Sequence, residues 1–495
     1  MQRLGGLDST FLYFETPTMH MHVGGLMLVD PSTKSKPYSF AEVRDYIDSR
    51  MGLVPSFRRK LATVPLNLAR PYWVEDPDFD LDYHLHRIAV PAPAGDRETA
   101  DVVAEILSRP LDRTRPLWEM WVVEGRADGL LAIVSKMHHS SIDGITGANM
   151  MAELFDLEPD APPRQVVPDS WEPERKPSEV ELLGRAVYDV VSRPVGVAKL
   201  LPGTLLGLAK ILNRRTRGAP GMPAPFTAPR TSFNATLTPH RIVSYVNVSL
   251  DDVKKVKNAF GVKVNDVVIA ITSGALRRYL DARGELPERS LISAIPVSVH
   301  DRTQDKEGTT KVSFMFSSLA SDIDDPVERL RLIAETNEGA KKDHDMVGAS
   351  FLQDWAEHAA PNTFSLAARM YSSMRLSERH PVVHNLIISN VPGPPIPLYL
   401  NGSKLVGLYP LGPIMDGAGL NLTVLSNMDS VGFGFIACRE LVPDLWDLAD
   451  AVPDALAELV EAADKQSSGP AKPAKTAKAK QPAARRTAAS PSGTH

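Results

Sequence analysis

Met137-His138-His139-Ser140-Ser141-Ile142-Asp143-Gly144 lies between two stretches of different pattern. Ahead of it, Leu130-Leu-Ala-Ile-Val134 is a short apolar run suited to a buried strand. After it, Ile145-Thr-Gly-Ala-Asn-Met-Met-Ala-Glu-Leu-Phe155 has the pattern of a helix. The segment therefore reads as a junction between strand and helix, where a rigid scaffold can hold polar side chains at a strand end. The same mixture recurs downstream. Ile242-Val-Ser-Tyr-Val-Asn-Val248 alternates like a strand, and Asn265 to Leu280 reads as a helix with Val267, Val268, Ile271 and Leu276 on one face. Leu291-Ile-Ser-Ala-Ile295, Leu386-Ile-Ile388 and Gly432-Phe-Gly-Phe-Ile-Ala437 are further strands. Strands and helices interleave on both sides of the chain's middle, so the expected fold is two α/β domains.

The junction carries the residues most suited to chemistry. Adjacent histidines point in different directions, so at most one is expected to react. An imidazole, with an ordinary pKa near ~6.5, is the default general base at neutral pH. Asp143, four residues beyond His139, either orients that imidazole or turns away to hold the loop through an Arg. Gly144 permits a tight backbone at the helix entry. A metal site has only two ligands here, with no third nearby. Ser140 or Ser141 as a nucleophile lacks the G-x-S-x-G elbow, which occurs nowhere in the chain. From the residues alone, a general base and a purely structural histidine pair both remain open.

At 495 residues the chain exceeds one core and suits two domains. With 43% hydrophobic and 23% charged residues, it is not a wholly disordered chain. The single cysteine, Cys438, excludes an intramolecular disulfide and a Cys-based zinc cluster, and points to a reducing compartment. The net charge of −5 is unevenly spread: Lys465 to His495 carries five Lys, two Arg and no acid, leaving 48 basic and 60 acidic residues before it. There is no overall basic excess of the kind nucleic-acid binding requires. Residues 1–156 form one block, a proline-rich and partly helical connector spans 157–230, and 231–464 form a second block. The Ala-, Pro- and Lys-rich 465–495 is expected to be a disordered basic tail. The sequence contains no secretory leader and no run of 18 apolar residues, so a cytoplasmic protein is expected. Within the connector, Leu182 to Leu212, ending in Arg214, Arg215 and Arg217, is a candidate for a helix lying on a membrane surface or packed between the domains.

His138-His139-Ser-Ser-Ile-Asp143-Gly144 resembles the HHxxxDG motif of the CoA-dependent acyltransferases. The surrounding elements narrow this to the bacterial wax ester synthase/diacylglycerol acyltransferase family. Leu7-Asp-Ser-Thr-Phe-Leu12, Met21-His-Val-Gly-Gly25, Arg58-Arg-Lys-Leu61 and Pro71-Tyr-Trp-Val74 are similar to its opening blocks. Pro110-Leu-Asp-Arg-Thr-Arg-Pro-Leu-Trp-Glu119 resembles its PLD-x-x-x-PLWE element. Pro229-Arg-Thr-Ser-Phe-Asn234, Val264-Asn-Asp-Val267, Pro296-Val-Ser298, Asp325-Pro-Val327 and Ser389-Asn-Val-Pro-Gly-Pro394 follow in family order. Gly308-Thr-Thr-Lys-Val-Ser313 departs from the pattern, which carries Asn after the Gly.

The resemblance implies two chloramphenicol-acetyltransferase-like halves with an active-site tunnel between them. It implies transfer of a long-chain acyl group from acyl-CoA, a co-substrate, to diacylglycerol or a long-chain alcohol, with no further cofactor and no metal. His139 is then the general base, His138 a supporting residue and Asp143 a structural anchor beside Gly144. Asn265 and Asp266 match the family's ND element at a helix start, where such residues cap free N–H groups. Trp118 and Glu119 are expected to support the fold. Ser389 and Asn390, before the rigid Pro392-Gly393-Pro394 turn, are candidates for lining the tunnel. His20 and His22 either border the acceptor channel or are packed or solvated. Substrates this apolar imply a peripheral position at the inner membrane or on lipid droplets.

Overall fold

The structure, a computed structural model, describes residues 2–141, 153–161, 178, 180–184, 199–200, 202–203, 206, 221–298, 312–347 and 355–468. From the N-terminus, β1 (Gln2–Arg3) leads to α1 (Gly6–Phe14), β2 (His22–Asp30) and α2 (Phe40–Arg50). Next come β3 (Arg59–Ala62), β4 (Tyr72–Glu75), β5 (Leu85–Ala89), α3 (Asp96–Leu107), β6 (Trp118–Glu124) and β7 (Leu131–His138). The second part holds β8 (Arg241–Ser249), α4 (Leu250–Phe260), α5 (Val264–Ala282), β9 (Ile292–Ser298), β10 (Val312–Ser318), α6 (Pro326–Val347) and α7 (Pro361–Ser373). It closes with β11 (Leu386–Val391), β12 (Tyr399–Leu400), β13 (Ser403–Leu411), β14 (Leu420–Asn427), β15 (Ser430–Cys438) and α8 (Leu445–Ser468).

Two six-stranded mixed sheets organise these elements. The first runs β12-β13-β2-β7-β6-β5, antiparallel except for the β5–β6 pair. The second runs β10-β9-β11-β14-β15-β8, with β11 parallel to both its neighbours. The β12–β13 hairpin comes from the second block but pairs with β2 of the first, Lys404 opposite Asp30 through Leu411 opposite Gly24. The chain then returns to the second sheet at β14.

Local sequence explains most of the elements. In β7 every residue from Leu131 to Val134 is buried, as a continuous apolar run in a central strand should be. Helix α4 starts at Ser249, whose hydroxyl accepts the Asp252 N–H at 3.1 Å, and stops at Gly261 with φ +69°. The expected helix at 265–280 is present as α5, but its burial is not confined to one face. All residues from Asp266 to Leu276 are buried, because α8, α6 and α4 surround what the sheet leaves open. Helix α8 continues to Ser468, where Lys465 pairs with Glu461 and Gln466 donates to the Ala259 carbonyl. Residues 469–495, the bulk of the basic tail, lie outside the described residues.

The sheets meet along β13 and β15. A Cβ on Gly432 would stand 2.3 Å from the Leu408 carbonyl oxygen, and one on Gly434 2.1 Å from that of Pro410. Glycines two apart on a strand share one face, so this pair lets two backbones approach without intervening side chains. One apolar cluster spans both sheets there, joining Leu26, Leu28 and Leu411 of the first with Val243, Tyr245 and Ile436 of the second.

Candidate active site

Strand β7 ends at His138, and a 3-10 turn, His139–Ser141, follows. The two imidazoles diverge. His138 is buried, its Nδ1 accepting the Ser140 N–H at 3.1 Å with the Ser140 hydroxyl at 2.7 Å. An accepting Nδ1 assigns the ring proton to Nε2. Nε2 faces Glu15 Oε2 at 3.3 Å. Burial pushes the His138 pKa down, and the Glu15 carboxylate only partly opposes it, so the ring is neutral at pH 7. Burial alone would raise the Glu15 carboxyl, but His138 and Arg113 outweigh it and hold it below the usual range. Arg113 donates Nε to Glu15 at 2.9 Å and a terminal nitrogen to the Leu12 carbonyl at 2.9 Å.

His139 is half-buried. Its backbone N–H donates to the Met21 carbonyl at 2.9 Å. Its ring stacks on Phe11 of α1, with centroids 3.9 Å apart and planes 22° from parallel. Met21 has φ +49°, a left-handed conformation that costs a non-glycine residue roughly 1–2 kcal/mol. Its carbonyl nonetheless anchors the turn after His138. Asp143 and Gly144, with the expected helix after them, lie outside the described residues apart from its last turn.

A narrow cavity opens one strand away from His138, between the sheets. His20, His22, Gly24 and Leu107 line it on one side, Arg241 and Ile436 on the other. Its room, ≈ 20 Å³, accommodates about one water molecule. His22 pairs with His138 across β2 and β7, so both side chains share a sheet face. The His20 and His22 rings stack at 5.4 Å, and His22 meets His138 edge-on at 6.3 Å. Burial brings His20 down to about 4 and His22 well below its ordinary value. The Arg241 guanidinium donates to the carbonyls of Thr238, His240 and Thr18, and burial lowers it to about 10. His20 and His22 are thus packed residues at the edge of the space between the halves.

The second-half candidates are held within their own sheet layer. Ser389 and Asn390 pair with Thr423 and Val424 across β11 and β14. Asn390 Nδ2 reaches Asn265 Oδ1 at 3.3 Å, so the structure brings these two together. Asp266 accepts the Lys263 N–H at 3.0 Å and the Asn337 side-chain amide at 2.8 Å, tying the start of α5 to α6. Gly393 is required at its turn, since a Cβ would stand 1.8 Å from the Ser426 carbonyl oxygen. Trp118 is buried, donates Nε1 to the Phe57 carbonyl at 2.8 Å and stacks on Phe57 and His84. Glu119 meets the buried Lys136 ammonium at 3.3 Å. Among the described residues, no group of three His, Cys, Asp or Glu is placed to hold a metal ion. No single described helix is long and apolar enough to cross a membrane. Most of the connector's candidate surface helix, Leu182 to Leu212, and its three arginines lie outside the described residues, as does most of the 308–313 segment.

Glu15, Arg113 and Phe11 were not singled out by the sequence reading. Their signals are faint: one acid just past an apolar helix, and one arginine inside a segment whose tryptophan attracts attention first.

The chain is similar to known proteins along most of its length. Residues 4–268 match the wax ester synthase/diacylglycerol acyltransferase catalytic domain, and residues 309–460 match the corresponding C-terminal domain. A putative diacylglycerol O-acyltransferase of Mycobacterium tuberculosis is 41% identical over 470 residues, spanning 95% of this chain and 92% of the relative. A probable diacylglycerol O-acyltransferase of the same organism is 36% identical over 466 residues, 92% of this chain and 98% of the relative. The wax ester synthase/diacylglycerol acyltransferase from Marinobacter aquaeolei VT8 superposes with a TM-score of 0.67 at 30% identity, covering 94% of this chain and 100% of that one. The first condensation domain of the calcium-dependent antibiotic synthetase shares the fold alone, with a TM-score of 0.56 at 13% identity over 94% of this chain and 97% of that one.

Proposed function

The chain belongs to the wax ester synthase/diacylglycerol acyltransferase family and is an acyltransferase, and on that premise we propose its substrates and mechanism. The donor is long-chain acyl-CoA, and the acceptor is the hydroxyl of diacylglycerol, with long-chain alcohols as second acceptors. Residues 1–156 and 231–464 are the two working halves, joined by 157–230, and the 399–411 hairpin ties the second to the first. The protein works in the cytoplasm, peripherally at a lipid surface.

An aliphatic alcohol is protonated at pH 7 and a weak nucleophile, whereas a thioester is already activated. The step that needs help is removal of the alcohol proton. His139 takes that proton as the alcohol oxygen attacks the thioester carbonyl. A tetrahedral oxyanion forms, the C–S bond breaks, and the proton passes to the departing CoA thiolate. No acyl-enzyme intervenes. His138 holds the turn through Ser140 and Glu15. Asp143 anchors the loop beyond it, and Ser389 and Asn390 line the tunnel from the second half.

One observation carries the assignment of the base: of the two adjacent imidazoles, His138 is buried and engaged with Ser140, while His139 is half-buried against an aromatic face. The test follows thiol release from acyl-CoA with diacylglycerol, with a long-chain alcohol and with no acceptor. Release that depends on diacylglycerol or alcohol supports the proposal. Release with neither, together with tight lipid binding, points instead to a lipid-binding protein with a weak site. Release with another hydroxyl compound alone moves the acceptor.

A further inference from the structure

Helix α7 presents an apolar ridge to solvent. Leu366, Met370 and Met374 recur every fourth residue and are 59%, 49% and 46% exposed. Leu366 and Met370 therefore stack along one side of the helix, and Met374, at its C-cap, continues their line. The ridge is extended at its N-terminal end by Leu66, 80% exposed, whose carbonyl accepts the Asn362 side-chain amide at 2.7 Å. Leu66 is itself held at φ +57° on the tip of a turn, a conformation unusual for a leucine. On the flank, Phe14 is 40% exposed and meets Phe364 edge-on at 4.9 Å.

The unpaired charges beside the ridge are basic. Helix α7 contains no acid and carries Arg369, and Arg375 and Arg379 follow it. Arg369 and Arg379 are exposed and have no side-chain partner among the described residues. The nearby acids are already engaged, Glu357 by Arg70 and the Gly6 N–H, Glu378 by Arg375. Met374 marks the far end of a ridge roughly 18 Å long, at 1.5 Å per residue from Asn362. At helix width this is on the order of 200 Å², well short of the ~800 Å² per partner of a stable protein interface. A lipid surface imposes no such minimum and needs no shape complementarity.

We propose that this ridge is where the protein docks on an anionic lipid surface, with the leucines and methionines entering the headgroup boundary and the arginines meeting lipid phosphates. The benefit to turnover rests on the acyltransferase reading, since α7 packs on α1, whose Phe11 stacks on His139. The docking itself does not depend on that reading.

The test is co-sedimentation of the full chain with vesicles of phosphatidylcholine alone and of phosphatidylcholine mixed with phosphatidylglycerol, without acyl-CoA. The wild type should prefer the anionic vesicles. Leu366→Glu/Met370→Glu should lower the partition coefficient about tenfold. Arg369→Ala/Arg379→Ala should weaken binding to anionic vesicles only and flatten its salt dependence. Turnover on detergent-dispersed substrate should stay within about twofold for both variants, and a wild type that binds vesicles but transfers no acyl group would sink the acceptor reading alone. Wild-type sedimentation by the Leu366→Glu/Met370→Glu variant overturns the docking proposal. So does a wild-type dimer that this variant converts to monomer, which would make a second copy the occupant.

Discussion

His138 Nε2 and Glu15 Oε2 face each other at 3.3 Å, joining the end of β7 to the end of α1 inside a layer that also holds Arg113. The carboxylate therefore lies between the Arg113 guanidinium, which donates to it, and the His138 ring, and its pKa lies below the ordinary value. A depressed carboxyl pKa stabilises the fold above the unfolded pKa, near ~4.3, and that stability is lost as pH falls through the folded value. Glu15→Gln should be less stable than wild type at pH 7 by about 1–3 kcal/mol. Denaturant melts at pH 7 and pH 3 check this: the gap should narrow at pH 3. A gap that stays constant would remove the carboxylate's charge from the account.

The buried histidines also lose stability on acidification, but at higher pH than the carboxylate. His20 and His384 are each lowered to about 4 by burial. A histidine kept neutral in the fold contributes its full stability above the unfolded pKa, near ~6.5, and loses it as pH falls toward the folded value. By pH 4 each costs up to about 3 kcal/mol. Wild-type stability should thus decline between pH 6.5 and 4, and His20→Asn should flatten part of that slope. A slope unchanged by the substitution would show that His20 does not stay neutral in the fold.

The contact of β13 with β15 makes a steric prediction. Gly434→Val places a branched side chain where the Pro410 carbonyl lies 2.1 Å from the first added carbon. The sheets must part, so the variant should lose 3 kcal/mol or about that much, or fail to accumulate as soluble protein. Gly129→Asn, a turn position with φ +79° and open space, serves as the control and should stay within about 1 kcal/mol. Equal melting of the two variants would refute the close approach.

These elements differ in how legible they were. The strands at 131–138, 241–249, 292–298, 386–391 and 430–438 follow from apolar or alternating runs that need no knowledge of partners. Helix α5 was legible as a helix, but not as one buried all round, because burial is set by α8, which lies far away in sequence. The 399–411 hairpin crossing into the first sheet was not legible at all, since its pairing with β2 spans more than 370 residues of chain. At the site, His138 and His139 stood out as an adjacent pair at a strand end. Glu15 did not, because a single acid after an apolar helix reads as a helix stop until folding places it beside His138.

The proposed direct transfer makes the lone cysteine dispensable. Cys438 is buried at the end of β15, with its sulfur 3.4 Å from the Thr238 backbone nitrogen. Cys438→Ser should keep turnover within about threefold, and initial-rate patterns should be sequential. Ping-pong patterns, or an acyl group trapped on the protein, would contradict a direct attack of the alcohol on the thioester.

The central claim is that His139 supplies the base. The most direct measurement is turnover of acyl-CoA with diacylglycerol by His139→Ala, with thermal melting of the same sample. The account predicts a loss of about 10²–10⁴-fold with a melting temperature close to wild type, because His138 and Ser140 hold the turn. Wild-type turnover by a folded His139→Ala protein would contradict it.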